Sequence, residues 1–241
     1  MNHMLNRSDY KSALVVAAHP DDEVLGVGGT MALLAEQGFA VYVVYMTGGK
    51  GGRVDANTTQ SAETMAEQKE LAEELKKSCE ILGVKDFWLW DFPDNRMDTV
   101  SRMDVSLKLN EISRKTKPEL VFCHHYGDYN WDHQVVYDAT LMSFRANHGD
   151  HFPKALFSYE VGSSSERAHQ GPRDIFCPNF YVDIKTTMPQ KKKAIEAYAS
   201  EGRPYPHPRS SEGVEYMARR RGMEAGMEVA EAFSLIRGIY V

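Results

Sequence analysis

Residues 12–18, Ser-Ala-Leu-Val-Val-Ala-Ala, run without a charge and then stop at His19-Pro20-Asp21-Asp22-Glu23. An apolar run of this length, with no polar residue alternating through it, is the pattern of a strand buried on both faces, as in a parallel sheet covered by helices. Such a strand has no structural need of three carboxylates and an imidazole at its end. The carboxyl edge of an open α/β sheet is where such folds take their ligands, and a metal ion accounts for the whole group. His19 and Asp22, three apart at a strand-to-helix turn, can reach one ion from the same side, which leaves Asp21 free to act as a base. Imidazole and carboxylate suit zinc, whose catalytic sites keep three protein ligands and one open position. Helix capping by Asp22 and a favourable first-turn charge on Glu23 would explain two of the acids. It would leave His19 and Asp21 idle.

The strand-then-helix alternation continues along the chain. Strands are expected at 12–18, 39–46, 87–90, 120–123, 155–161 and 180–184, and helices at 22–37, 62–82, 99–117, 134–145, 191–200 and 211–232. With 241 residues and no obvious linker, this describes one α/β domain over residues 1–241 with a mostly parallel, doubly wound sheet. Gly26-Val27-Gly28-Gly29 is no dinucleotide fingerprint, because those glycines should make the strand-to-helix turn that His-Pro-Asp-Asp-Glu already fills. They suit close packing of a helix on the sheet or a substrate. The second strand runs into Thr47-Gly48-Gly49-Lys50-Gly51-Gly52-Arg53, which lacks the spacing of a phosphate-cradling Walker loop. It reads as a substrate loop, with Arg53 as an anion or hydroxyl contact, or equally as a plain surface loop. Asp91 and Asp94 sit in a turn after the third strand, where acids are common turn formers.

A second cluster follows the fourth strand, His124-His125-Tyr126-Gly127-Asp128-Tyr129-Asn130-Trp131-Asp132-His133. Carboxyl ends of neighbouring strands converge in a doubly wound sheet, so this loop can bring a third ligand to His19 and Asp22. His133 is the best placed, with Asp132 beside it as a hydrogen-bonding partner. Near the carboxyl end, Arg203-Pro204-Tyr205-Pro206-His207-Pro208-Arg209-Ser210 is a proline-stiffened loop carrying two arginines, a tyrosine and a histidine. It is expected to close over the metal pocket or to complete that of a neighbour in a homo-oligomer.

Composition excludes several classes. A net charge of −6 argues against a generic polyanion binder. Three widely spaced cysteines, Cys79, Cys123 and Cys177, fit reduced thiols in the cytoplasm and offer no C-x-x-C zinc site. No window approaches a transmembrane length, and residues 1–11 lack the apolar core of an export signal.

These motifs resemble the LmbE/PIG-L-like zinc-dependent N-deacetylases, in the bacterial LmbE branch. The matching elements are Ala18-His19-Pro20-Asp21-Asp22-Glu23, the glycine-bearing loop from Thr47 to Arg53, Asp132-His133, and the tail from Arg203-Pro204 through Pro206-His207-Pro208-Arg209-Ser210 to Arg220-Arg221-Gly222. The resemblance implies a Rossmann-like three-layer sandwich, one zinc ion held by His19, Asp22 and His133, and Asp21 as general base. It implies an N-acetylated sugar or glycoconjugate of the N-acetylglucosaminyl type as substrate. One departure stands out. Many members carry His-Pro-Asp-His where this chain has Asn130-Trp131-Asp132-His133, and the first histidine is the family's candidate for stabilising the oxyanion. Asn130, or His207 or Tyr205 from the tail, would have to take that role. The candidate catalytic residues are thus Asp21, Asp132, Asn130 and His207, and the candidate substrate contacts Arg53, Tyr205 and Arg209. The rival readings are a sugar- or nucleotide-binding protein that holds metal without catalysis, which needs no Asp21, and a metal-dependent hydrolase of another amide or an ester.

Overall fold

The structure, a computed structural model, describes residues 11–48 and 62–239. Strand β1 (Ser12–Ala17) is buried along its whole length. Its side chains alternate between two cores, as the two-residue period of a strand requires. Ala13, Val15 and Ala17 face one helical layer, and Leu14 and Val16 the other. Burying each of the larger aliphatic side chains contributes about 1.5–3 kcal/mol, before the opposing conformational entropy. Both faces of β1 must therefore be covered.

The helices that cover it are α1 (Asp22–Glu36), α2 (Ala62–Ile81), α5 (Met188–Ala197) and α6 (Ser211–Ala225) on one side, and α3 (Arg102–Thr116) and α4 (Trp131–Ser143) on the other. The remaining strands are β2 (Ala40–Tyr45), β3 (Asp86–Leu89), β4 (Leu120–His124), β5 (Ala155–Tyr159), β6 (Phe180–Asp183) and β7 (Ala230–Gly238). The sheet order is β3-β2-β1-β4-β5-β7-β6, with β1 to β5 parallel and β7 antiparallel to both its neighbours. The expected three-layer α/β sandwich with a mostly parallel sheet is the observed one. Strand order reverses between β1 and β4, and the crevice at their carboxyl ends is the place such a sheet offers a ligand.

One element differs in kind from the sequence expectation. The helix expected over 211–232 ends at Ala225, where Gly226 takes the left-handed conformation (φ 71°), and the chain then enters β7, inserted between β5 and β6. Other boundaries move by a few residues. Helix α4 starts at Trp131 because Asn130 Oδ1 caps it by accepting the N–H of Asp132 at 2.9 Å, α5 starts at Met188 with Pro189 in its first turn, and a short 3-10 turn at Met97–Thr99 precedes α3.

Helix α1 lies unusually close to its neighbours, and its glycines explain how. A Cβ on Gly26 would collide with the Tyr159 ring, and one on Gly29 would come within 2.8 Å of Ile184. The same segment receives a buried ion pair. Glu231 of β7 accepts the N–H groups of Gly29 (2.8 Å) and Thr30 (2.7 Å), while Lys191 of α5 donates to Glu231 Oε1 (2.6 Å) and to the Leu25 carbonyl (2.8 Å).

Candidate metal centre and active site

The turn between β1 and α1 is built in a backbone conformation that few residues accept. Asp21, the N-cap of α1, has φ 98°, in the left-handed region where aspartate and asparagine are among the few tolerated side chains. This turn folds Asp22 back under β1, so that Asp22 Oδ2 accepts the N–H of His19 at 2.9 Å. Asp22 and Glu23 are fully buried, and Asp21 is 5% exposed. Carboxylates in such a place need partners.

Those partners are imidazoles. Asp22 Oδ2 lies 3.2 Å from His19 Nδ1, 3.3 Å from His133 Nε2 and 3.5 Å from His124 Nε2. The ligand atoms of His19, Asp22 and His133 all fall within 4.8 Å of one another. Asp22 Oδ1 is buried and has no hydrogen-bond partner. Burial alone would raise the Asp22 pKa, but the charge of His133 overcomes it and holds the carboxyl well below the usual range. An ionised carboxylate with an uncommitted buried oxygen, flanked by two imidazole nitrogens, is a donor set that fits a divalent ion of the zinc type.

Each histidine is aimed by a carboxylate on its far nitrogen, an arrangement that fixes the ring and raises ligand basicity in metal sites. His19 Nε2 contacts Asp132 Oδ2 at 3.0 Å and Asp94 Oδ1 at 3.2 Å. Two acceptors on Nε2 favour a proton there, and Nδ1, 3.2 Å from Asp22 Oδ2, is the nitrogen that would face an ion. Asp132 is itself locked, because Oδ2 accepts the N–H of Asn95 (2.7 Å) and Oδ1 that of Met97 (3.0 Å). Asp132 thus orients His19 and ties the turn after β3 to the first turn of α4. His133 Nδ1 lies 3.1 Å from Asp128 Oδ1, a charge contact off the line of a full hydrogen bond. Asp128 also accepts from Ser164 Oγ, from Ser165 Oγ (2.6 Å) and from the N–H of Asn130 (2.9 Å). Behind this set, His124 stacks on His133 with ring centroids 3.8 Å apart, and its Nε2 accepts the N–H of Ala18 at 2.9 Å. Desolvation and the neighbouring His133 keep His124 neutral, so it serves as a wall of the site.

Asp21 faces the tail. Arg209 Nη1 donates to Asp21 Oδ2 at 2.7 Å, and Arg209 Nε to Ser163 Oγ at 2.7 Å. Burial lifts the Asp21 pKa to about 7, against the pull of Arg209. A carboxylate that gains and loses a proton near neutrality suits a general base. Beside it lies a cavity of about 20 Å³ lined by Asp21, Tyr198, Glu201 and Arg209, room for one water. Glu23 is behind this group, receiving the Tyr198 hydroxyl at 2.8 Å, and burial pushes its pKa up to about 8.

The structure brings His19, Asp21, Asp22, Asn130, Asp132, His133 and Arg209 into one connected cluster. His207 is next to it, its Nδ1 accepting the Arg209 N–H at 3.2 Å. Tyr205 is 59% exposed and its ring meets Tyr216 edge-on; its described contacts do not run to the cluster. Arg53 lies outside the described residues. Sequence reasoning assigned no role to Asp94, His124, Asp128, Ser164 or Ser165. Asp94 lies in the turn after the third strand and His124 and Asp128 in the cluster after the fourth, whereas the serines come from a turn-rich segment with no signal of its own.

A histidine–aspartate cluster of this kind at the switch point of a doubly wound sheet defines a Rossmann-like class of metal-competent enzymes. The chain belongs to one such family, PIG-L, "GlcNAc-PI de-N-acetylase", whose model matches residues 14–144. It is 31% identical to the 4-oxalmesaconate hydratase of Pseudomonas putida, over 79% of this chain and 74% of that protein. To the diacetylchitobiose deacetylase of Thermococcus kodakarensis it is 27% identical, over 80% of this chain and 71% of the other. The crystal structure of the N,N′-diacetylchitobiose deacetylase from Pyrococcus horikoshii superimposes with a TM-score of 0.73 at 25% identity, covering 95% of this chain and 84% of that one. Among the described residues, no helix is long and apolar enough to cross a membrane.

Proposed function

We propose that this chain is a zinc-dependent N-deacetylase acting on an N-acetylated sugar or glycoconjugate of the N-acetylglucosaminyl type. The observation that carries the reading is the convergence of His19 Nδ1, Asp22 and His133 Nε2 beside a buried, non-ligating Asp21. When bound by those three residues, the metal would supply a Lewis acid for the amide carbonyl and a lowered pKa for the attacking water. The chain's own groups do the rest. Asp21 takes the proton of the attacking water and passes it to the departing nitrogen, a role that typically contributes about 10²–10⁴-fold in rate. Arg209 holds the Asp21 carboxylate in position and is the substrate contact nearest the base. Asn130 spends Oδ1 on the α4 cap, which leaves its Nδ2–H groups as oxyanion donors, with His207 as the alternative from the tail. Asp132 and Asp128 hold the two histidines. Acetate release from N-acetylglucosamine, N,N′-diacetylchitobiose and N-acetylglucosaminyl glycosides tests the reading, using zinc-loaded and chelated protein. Release that is lost on chelation and restored by zinc supports it; no release by fully loaded protein overturns it.

The Pseudomonas putida relative, a hydratase, favours a second reading. The same base beside the same metal would deliver water to a carbon–carbon double bond conjugated to a carboxylate, with Arg209 as the anion contact. Loss of the conjugated absorbance of 4-oxalmesaconate, without any acetate release from the sugars, would select it.

A further inference from the structure

Among the described residues, four that are not glycine hold a positive φ, and three of them touch the site. Asp21 is one. Asn95 is another, its N–H given to Asp132 Oδ2. The third is Ser163 (φ 73°), in the turn that follows β5, beside the strand that leads into Asp128 and His133. Glycine adopts this conformation freely, and serine does not. A strained residue persists where its surroundings over-determine it, and such residues gather at functional sites. The surroundings here do so. The Ser163 N–H donates to Glu166 Oε1 at 2.7 Å, the N–H groups of Ser164 and Ser165 both donate to the Val161 carbonyl (3.1 and 3.0 Å), and Ser165 Oγ accepts the Val161 N–H at 2.9 Å. What glycine would lack is the hydroxyl. Ser163 Oγ accepts from Arg209 Nε at 2.7 Å, and the same guanidinium donates through Nη1 to Asp21. The next two hydroxyls serve a different residue. Ser164 Oγ donates to Asp128 Oδ1 and Ser165 Oγ to Asp128 Oδ2 (2.6 Å), and Asp128 Oδ1 faces His133 Nδ1. Three consecutive serines thus carry one chain of contacts to Asp21 and a second to His133.

We infer that the turn Ser163-Ser164-Ser165 is the common mount of the site: Ser163 positions the base through Arg209, and Ser164 and Ser165 position a metal ligand through Asp128. The inference rests on the roles proposed for Asp21 and His133 and adds three positioning residues to them. A base acts only on a proton within hydrogen-bond reach, so its spacing from the ligand histidines has to be held. Asp21 and His133 come from the ends of different strands, and neither loop alone sets that spacing. One rigid turn that grips both does. It also accounts for the serine at φ 73°, since the strain is kept where the hydroxyl is used.

Neighbouring residues with opposite phenotypes test it. Ser163→Gly removes the hydroxyl while relaxing the backbone, so the turn should keep its shape. Its kcat should fall about ten-fold with zinc affinity unchanged. The paired change Ser164→Ala and Ser165→Ala should do the reverse, weakening zinc binding about ten-fold, with turnover restored as zinc is raised. Each effect should vanish where its route is already cut. Ser163→Gly should cost nothing further in Arg209→Ala protein, nor the alanine pair in Asp128→Asn protein, a non-additivity that general loosening of a turn would not give. Competition with a chromogenic chelator reads zinc affinity without substrate. Turnover is read as acetate release or, where no sugar is hydrolysed, as hydration of 4-oxalmesaconate, because Asp21 serves in both readings. In protein that turns over neither, solvent exchange of the Arg209 Nε–H measured by NMR takes the place of kcat, faster in Ser163→Gly and unchanged in the alanine pair. Absence of acetate release thus sinks the deacetylase reading alone. A variant that moves both quantities, or leaves its own at the parent value, overturns the inference.

Discussion

Arg209 Nη1 sits 2.7 Å from Asp21 Oδ2, although the two residues are 188 positions apart. This contact draws the proline-rich tail onto the turn after β1, and Ser163 Oγ holds the guanidinium from its other edge. Asp21, the proposed base, is therefore held by a residue from a different part of the fold. Arg209→Ala should lower turnover about 10–100-fold with metal content unchanged, since a misplaced catalytic group costs that much. Arg209→Lys should recover part of it, as a point charge without the fork. Metal analysis and kcat on the same preparations check this, and loss of metal with Arg209→Ala would contradict it.

Asp128 is proposed to position His133. It is 1% exposed, faces His133 Nδ1, and is itself held by Ser164, Ser165 and the Asn130 N–H. Asp128→Asn should weaken zinc binding by about 10–100-fold, the usual cost of losing a carboxylate behind a histidine ligand. Competition with a chromogenic chelator measures it. Saturating zinc should then restore most of the activity, and unchanged zinc affinity would remove Asp128 from the account.

The pair of Lys191 and Glu231 makes a prediction about stability alone. Both side chains are under 5% exposed, and together they bind three backbone groups inside α1. Glu231→Gln leaves a buried lysine without its counter-charge, a change that typically costs about 3–5 kcal/mol. Denaturant unfolding of metal-free protein should show it as a fall in midpoint with little change in slope.

That same pair explains what the sequence concealed. The five parallel strands are mostly apolar, and β1 and β4 run into polar clusters, so their identity and the edge that carries the site were readable. Strand β7 was not. Its Ala230-Glu231-Ala232 opening, following Met227-Glu228, reads as the solvent-facing end of a helix, because a glutamate in a central strand is expected only if something pays its desolvation. Lys191 does so, from a helix forty residues away. The stop signal was Gly226, a glycine at the position where helices turn left-handed. At the site, the convergence of His19, Asp22 and His133 on one spot was legible from their types and spacing. Asp94 and Asp128 were present in the right stretches, but a turn-forming aspartate and one behind a histidine look alike until the chain is folded. Ser164 and Ser165 act only through Asp128, and carry no local pattern.

The central claim is that Asp21 works as the base while His19, Asp22 and His133 hold the ion, and Asp21→Asn tests it most directly. Asparagine keeps the side-chain shape and tolerates the φ of 98° that this turn demands, so the fold and the metal should survive. Zinc per chain and acetate release from the best N-acetylated sugar would be measured on the same preparation. The account predicts close to one zinc per chain with turnover down by about two to four orders of magnitude, whereas Asp22→Asn and His133→Ala lose zinc and activity together. A zinc-loaded Asp21→Asn protein that turns over at the parent rate would contradict it.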